Sequence, residues 1–156
     1  MTEADYMREA IAITRKGIDA GQSPFGSVIV KNGVVVAATH NTVWLTTDPT
    51  AHAEVNCIRA AAKALQSIAL DGCTLYSTTE PCPMCLSAIH WAKIDRVVFG
   101  ATIGDAADAG FKELFVPAAT LAEMGKSPLI VEFGLLRKEC AALFDEWKKA
   151  AKCRAY

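Results

Sequence analysis

A chain of 156 residues that is 52% hydrophobic can bury one sizeable core without disulfide staples, and it is too apolar to remain disordered. Sixteen Lys and Arg against seventeen Asp and Glu leave a formal charge of −1, which argues against a surface built to hold many backbone phosphates. No apolar run is long enough to span a membrane or to act as a secretory signal, and the six cysteines show no regular framework, so a single domain over 1–156 in a reducing, cytoplasmic compartment is expected.

Residues 3–20 read as an amphipathic helix. Tyr6, Met7, Ala10, Ile11, Thr14 and Ile18 recur at helical spacing and Gly21 is the stop. Val28 to Ala37 reads as a β-hairpin, two β-branched runs joined by Asn32-Gly33. The second run is apolar on both sides of its alternation, which predicts cover on both faces. Before it, the Ser23-Pro24-Phe25-Gly26 turn either brings backbone to a ligand or places Phe25 in the core. Asn41 is either a turn former or an amide offering a donor and an acceptor to a heterocycle. Trp44 to Thr47 read as a loop.

A helix is expected over 50–65, opened by Asp48-Pro49, and its alanines suit close packing on a sheet. After Gly72, the run 73–79 reads as a strand, 82–91 as a helix and 95–99 as a second strand. This strand–helix alternation implies right-handed crossovers in a layered α/β domain, with the later strands parallel. From Gly104 the pattern weakens to a short helix around 121–124, a strand over 130–133 and a final helix over 136–150 striped by Cys140, Leu143, Phe144 and Trp147. The last residues, 152–156, read as a frayed tail, and Cys57 and Cys73 as buried thiols.

The chemistry concentrates between Asp48 and Cys85. His52-Ala53-Glu54 and, downstream, Pro81-Cys82-Pro83-Met84-Cys85 together form the His-x-Glu plus Pro-Cys-x-x-Cys signature of zinc-dependent deaminases. Three protein ligands, His52, Cys82 and Cys85, leave a fourth position open, as a catalytic zinc requires and a structural one does not. Zinc would lower the pKa of water for attack on an aminated ring carbon, with Glu54 as the proton carrier. Each half of the signature is ambiguous alone: Cys82-Pro83-Met84-Cys85 could be a redox pair, and His52 a core histidine.

With Pro24-Phe25-Gly26 and the Asp105-Ala106-Ala107-Asp108-Ala109-Gly110-Phe111 segment, these motifs make nearly the whole chain resemble the cytidine-deaminase-like superfamily and, within it, the bacterial guanine deaminases. The resemblance implies a three-layer α/β/α fold with a five-stranded mixed sheet, one zinc per subunit, and a homodimer whose C-terminal segment is exchanged between subunits. It implies conversion of guanine to xanthine, with Phe25, Asn41, Ala53, Trp91, Glu113 and Tyr156 against the substrate. The partner is then a small purine rather than a nucleic acid. In place of the family's acidic pair this chain has Lys112-Glu113, which leaves ammeline, cytosine or guanosine open as substrates. A basic tail with Lys148, Lys149, Lys152 and Arg154 keeps a tRNA wobble adenosine open as well.

Overall fold

The computed structural model describes residues 1–156. The elements, in chain order, are α1 (Glu3–Asp19), β1 (Gly26–Lys31), β2 (Val34–His40), α2 (Val43–Thr46), α3 (Ala53–Leu65), β3 (Cys73–Thr79), α4 (Pro83–Trp91), β4 (Arg96–Ala101), α5 (Ile103–Asp108), α6 (Ala118–Met124), β5 (Ile130–Phe133) and α7 (Arg137–Lys148). The strands form one mixed sheet in the order β2-β1-β3-β4-β5. β1 runs antiparallel to β2 and β3, whereas β3, β4 and β5 are mutually parallel.

Two buried clusters of 16 residues each lie against the sheet. On one face, α1 and α7 contribute Met7, Ile11, Leu143 and Trp147; on the other, α3, α4 and α6 contribute Cys57, Ala61, Ile89 and Ala122. The result is the expected α/β/α sandwich. No helix is long and apolar enough to cross a membrane.

Local chemistry explains most boundaries. Thr2 and Asp5 close a reciprocal capping box at the start of α1, and Gly21, with φ +80°, ends the turn beyond it. Asn32 and Gly33 both have positive φ, as a two-residue turn whose twist matches the flanking strands demands. β2 is covered on both faces, as expected, with Val35 and Ala38 against the α1 side and Val36 and Ala37 against the α3 side. As the edge strand it is only partly enclosed, Ala37 alone being buried, whereas the first five residues of β1, which has a strand on each side, are all buried.

The 44–47 segment is also not a plain loop, since α2 makes one helical turn there. The helix expected from Thr50 starts three residues later. The Asp48 carboxylate accepts hydrogen bonds from the Thr50 backbone N–H (2.8 Å) and hydroxyl (2.7 Å), and that turn delays the helix to Ala53. At the edge of the weakly patterned region from Gly104, a second reciprocal box, Thr102 with Asp105, starts α5.

Candidate metal and substrate site

Both ligand motifs sit at helix starts. His52 is the residue immediately before α3, in extended conformation, and Cys82 holds the same position before α4, with Pro83 at the first helical position. The spacing problem posed by His52 and Glu54 on a regular helix therefore disappears. His52 lies outside the helix and Glu54 inside its first turn, so the two side chains can converge. The approach to His52 is braced by Asn56, whose amide donates to the His40 carbonyl (3.1 Å), the Thr42 hydroxyl (2.9 Å) and the Ala51 carbonyl (3.3 Å).

His52, Cys82 and Cys85 form the one group of metal-ligating side chains in the chain, with ligand atoms within 4.8 Å of one another. His52 Nδ1 lies 3.7 Å from Cys82 Sγ and 3.4 Å from Cys85 Sγ. A tetrahedral zinc with Zn–N of about 2.0 Å and Zn–S of about 2.3 Å would separate those atoms by about 3.5 Å, so the donor set and its spacing fit that ion. The thiols are also unequal. A hydrogen bond from Cys85 drives Cys82 down to about 4, while the same bond and burial push Cys85 well above the ordinary thiol range.

No fourth protein ligand is in place. His40 shares a hydrogen with the Asn41 carbonyl and His90 with the Ser127 hydroxyl, both outside the group. A closed structural zinc site and an isolated redox pair both fit this arrangement poorly. The first lacks a ligand and the second does not explain His52 between the two sulfurs.

Glu54 is 6% exposed. The Ser77 hydroxyl donates to its Oε1 (2.9 Å) and the Cys85 thiol to its Oε2 (3.4 Å). Burial raises its pKa above the usual carboxylate range, which the nearby His52 partly opposes. A carboxyl held in this way can carry a proton between steps.

A cavity of about 270 Å³ opens in front of these groups. That is near the lower bound of about 300 Å³ for ligand pockets, enough for a single ring system rather than an extended ligand. Phe25, Phe111 and Tyr156 line it as an aromatic wall; the Phe25 and Phe111 rings meet edge to face at 4.9 Å and Phe111 meets Tyr156 at 5.5 Å. Glu113 and Lys112 line it too. Burial, then the negative charge of Cys82, push the Glu113 carboxyl up to about 7.

The other expected substrate contacts are placed differently. Asn41 is fully buried and its amide is already engaged: Oδ1 accepts from the Val43 N–H (3.0 Å) and Nδ2 donates to the Tyr156 hydroxyl oxygen (2.7 Å). It both forms the turn and reaches the site, through Tyr156. Ala53 is buried behind the pocket, its carbonyl accepting from Thr39. Trp91 is 78% exposed and lines a separate cavity with Leu86 and Leu121, so it forms no wall of its own chain's pocket.

The tail is not frayed at its end. Trp44 Nε1 donates to the Arg154 carbonyl (3.1 Å), the Arg154 guanidinium lies 4.2 Å from the Trp44 ring centre, and the Lys112 N–H donates to the Tyr156 carbonyl (3.1 Å). These contacts carry Tyr156 back into the pocket of its own chain. Burial raises the phenol's pKa, so it stays protonated and keeps its hydrogen available to donate.

Sequence reading missed Ser77 and Trp44. Ser77 could have been found from strand alternation, which puts it on the same face as Thr79, the residue before Glu80. Trp44 carried no signal, because its partner is 110 residues away.

The description "Cytidine and deoxycytidylate deaminase zinc-binding region" belongs to the family profile that matches residues 1–101. Along its full length the chain is 38% identical to the guanine deaminase of Bacillus subtilis, covering 100% of each protein. It is 45% identical to the tRNA-specific adenosine deaminase of the same organism over 96 residues, 62% of this chain and 60% of that one. Among solved structures, the guanine deaminase from Nitrosomonas europaea superimposes with a TM-score of 0.86 at 27% identity, over 94% of this chain and 84% of that one.

Proposed function

The chain belongs to the zinc-dependent deaminase family, which it joins through both the zinc-binding region and the full-length guanine deaminase match, and from that premise we propose that it hydrolyses guanine to xanthine and ammonia. The observation that carries this reading is one small aromatic-walled cavity in which Glu54 stands beside the His52–Cys82–Cys85 triad and Glu113 further along the lining, a third glutamate, Glu80, being taken up by backbone amides.

The triad would hold the zinc, which supplies a Lewis acid able to bring water's pKa near neutrality. Glu54 would take one proton of the attacking water and deliver it to a ring nitrogen, then take the second from the hydroxyl now on the ring carbon and pass it to the departing amine, so that ammonia leaves and a carbonyl remains. Ser77 keeps one Glu54 oxygen oriented through these transfers. Phe25 and Phe111 flank the ring, and Tyr156 closes the cavity against water. The ionised Glu113 accepts hydrogen bonds from the guanine N–H groups, as an acceptor-only carboxylate does.

Ammonia release from guanine, adenine, cytosine, ammeline, guanosine and an anticodon stem-loop tests the substrate. Guanine is expected to lead. Inactivity toward guanine with strong turnover of another substrate overturns the assignment while leaving the chemistry intact.

Two further outcomes follow from the pocket. Glu113 is neutral below its raised pKa and ionised above it, so KM for guanine should fall as pH rises through a step at about 7, or lower once the zinc charge is present. Glu113→Gln should raise KM at pH 8 by about 10- to 100-fold, the worth of a hydrogen bond to a charged group, and erase that step. An unchanged pH profile in the variant removes Glu113 from substrate binding. Deleting Cys153 to Tyr156 should lower kcat/KM by about tenfold or more, the worth of roughly one lost closing interaction. The melting temperature should move by only a few degrees, because residues 151–155 are exposed. Equal activity in the truncated protein returns Tyr156 to a passive role.

A homodimer, expected from the resemblance, has a suitable surface in the exposed Met84 and Trp91 of α4 and Met124 of α6. Sedimentation of Trp91→Ala beside the unaltered protein tests it; identical masses would reject that surface.

A further inference from the structure

We infer that Glu80 is a positioning residue whose single carboxylate clamps both ends of the Ile103 to Ala118 excursion and thereby sets where Phe111 and Glu113 stand in the pocket. Its Oε2 accepts from the Ile103 N–H at 2.9 Å and its Oε1 from the Ala118 N–H at 2.9 Å. These amides belong to the first residues of α5 and α6, where a helix offers its own N–H groups no acceptor. One side chain therefore satisfies two orphan donors that are fifteen positions apart in sequence.

What lies between them makes the clamp functional. Phe111 to Pro117 has no helix or strand, and this stretch supplies Phe111, Lys112, Glu113 and Leu114 to the cavity. Its internal backbone bonds are short-range, Glu113 to Phe111 and Val116 to Leu114, and the Lys112 N–H reaches outside the segment only to the last residue of the chain, Tyr156. Glu80 itself is fixed at the end of β3, where its N–H donates to the Ala101 carbonyl (2.8 Å), and it precedes Cys82 by two residues. The metal triad and the segment bearing Glu113 are thus referred to one rigid point.

Glutamine at this position keeps the shape but replaces one acceptor with an NH₂ that faces a backbone N–H. Aspartate keeps the charge but is one methylene too short to reach both amides.

The inference rests on the deaminase reading for its substrate, and hydrogen exchange tests the clamp without any substrate. In Glu80→Gln, the amides of Ile103 or Ala118 and of Phe111 to Leu114 should exchange faster than in the unaltered protein, with zinc content and far-UV circular dichroism unchanged. kcat/KM for guanine should fall about 10- to 100-fold, the cost of a roughly 1 Å misplacement. In a Glu113→Gln background the same substitution should cost little, because its effect passes through Glu113. Glu80→Asp should behave like Glu80→Gln despite its retained charge. Unchanged exchange at the two amides, or equal losses with and without Glu113, overturns the inference. An unaltered protein inactive on guanine would instead overturn the substrate assignment, and the exchange result would stand apart from it.

Discussion

Glu54→Gln should lower kcat for guanine by about 10³-fold, within the 10²- to 10⁴-fold range of a single general acid–base group, while one zinc per chain is retained. The reason is the division of labour around the carboxyl. Glu54 is not among the grouped metal ligands, so its replacement leaves His52, Cys82 and Cys85 with their spacing intact. It is almost wholly buried, with the Ser77 hydroxyl on one oxygen. Glutamine is nearly isosteric and can still accept from Ser77, which protects folding. It cannot take a proton from water or pass one to the ring. KM should change far less than kcat, because the lost interactions form during the reaction rather than on binding. Retained turnover would remove Glu54 from the proton path; loss of zinc together with activity would make it a structural support of the triad.

Stripping zinc with a chelator should abolish turnover and lower the melting temperature by about 8–16 °C, with both restored when zinc is returned. A ligand that binds only the folded state at about 1,000 times its Kd contributes about 4 kcal/mol, and each kcal/mol moves the midpoint of a chain this size by about 2–4 °C. The fold should nevertheless survive. Unlike a small zinc module, this chain holds its helices to the sheet through two buried clusters of 16 residues, and the triad sits at the ends of α3 and α4 rather than inside either cluster's center of mass. Far-UV circular dichroism should therefore remain that of an α/β protein after chelation. Cys85→Ser should reproduce the chelated state and resist restoration, since a serine hydroxyl is a poor zinc ligand beside a thiolate. A chelated protein with unchanged midpoint and unchanged turnover would separate this chain's chemistry from the metal.

Short-range chemistry was well represented in the residues alone. The two halves of the zinc signature, the Asn32-Gly33 hairpin, the strand over 73–79 and the strand over 130–133 each depend on neighbours within a few positions, and the structure carries all of them. Misreadings came where a partner lay far away. The tail reads as frayed because nothing near it in sequence holds it, yet Trp44 and Lys112 hold it from 110 and 44 positions away. Trp91, an aromatic wall by likeness, sits at the far end of α4, six residues beyond Cys85, and lines a cavity separate from the pocket of its own chain.

The sequence by itself marked out the His52, Cys82 and Cys85 group, the Glu54 beside it and the layered fold, because residue type, a three-residue cysteine spacing and hydrophobic periodicity are local properties. Only the tertiary structure decided how the pocket is finished. Asn41 meets Tyr156 across 115 positions, Glu80 reaches Ile103 and Ala118 across 23 and 38, and Trp44 receives the tail across 110. Such contacts follow from chain crossings at one end of the parallel strands, and no periodicity within the chain encodes which distant side chain will arrive there.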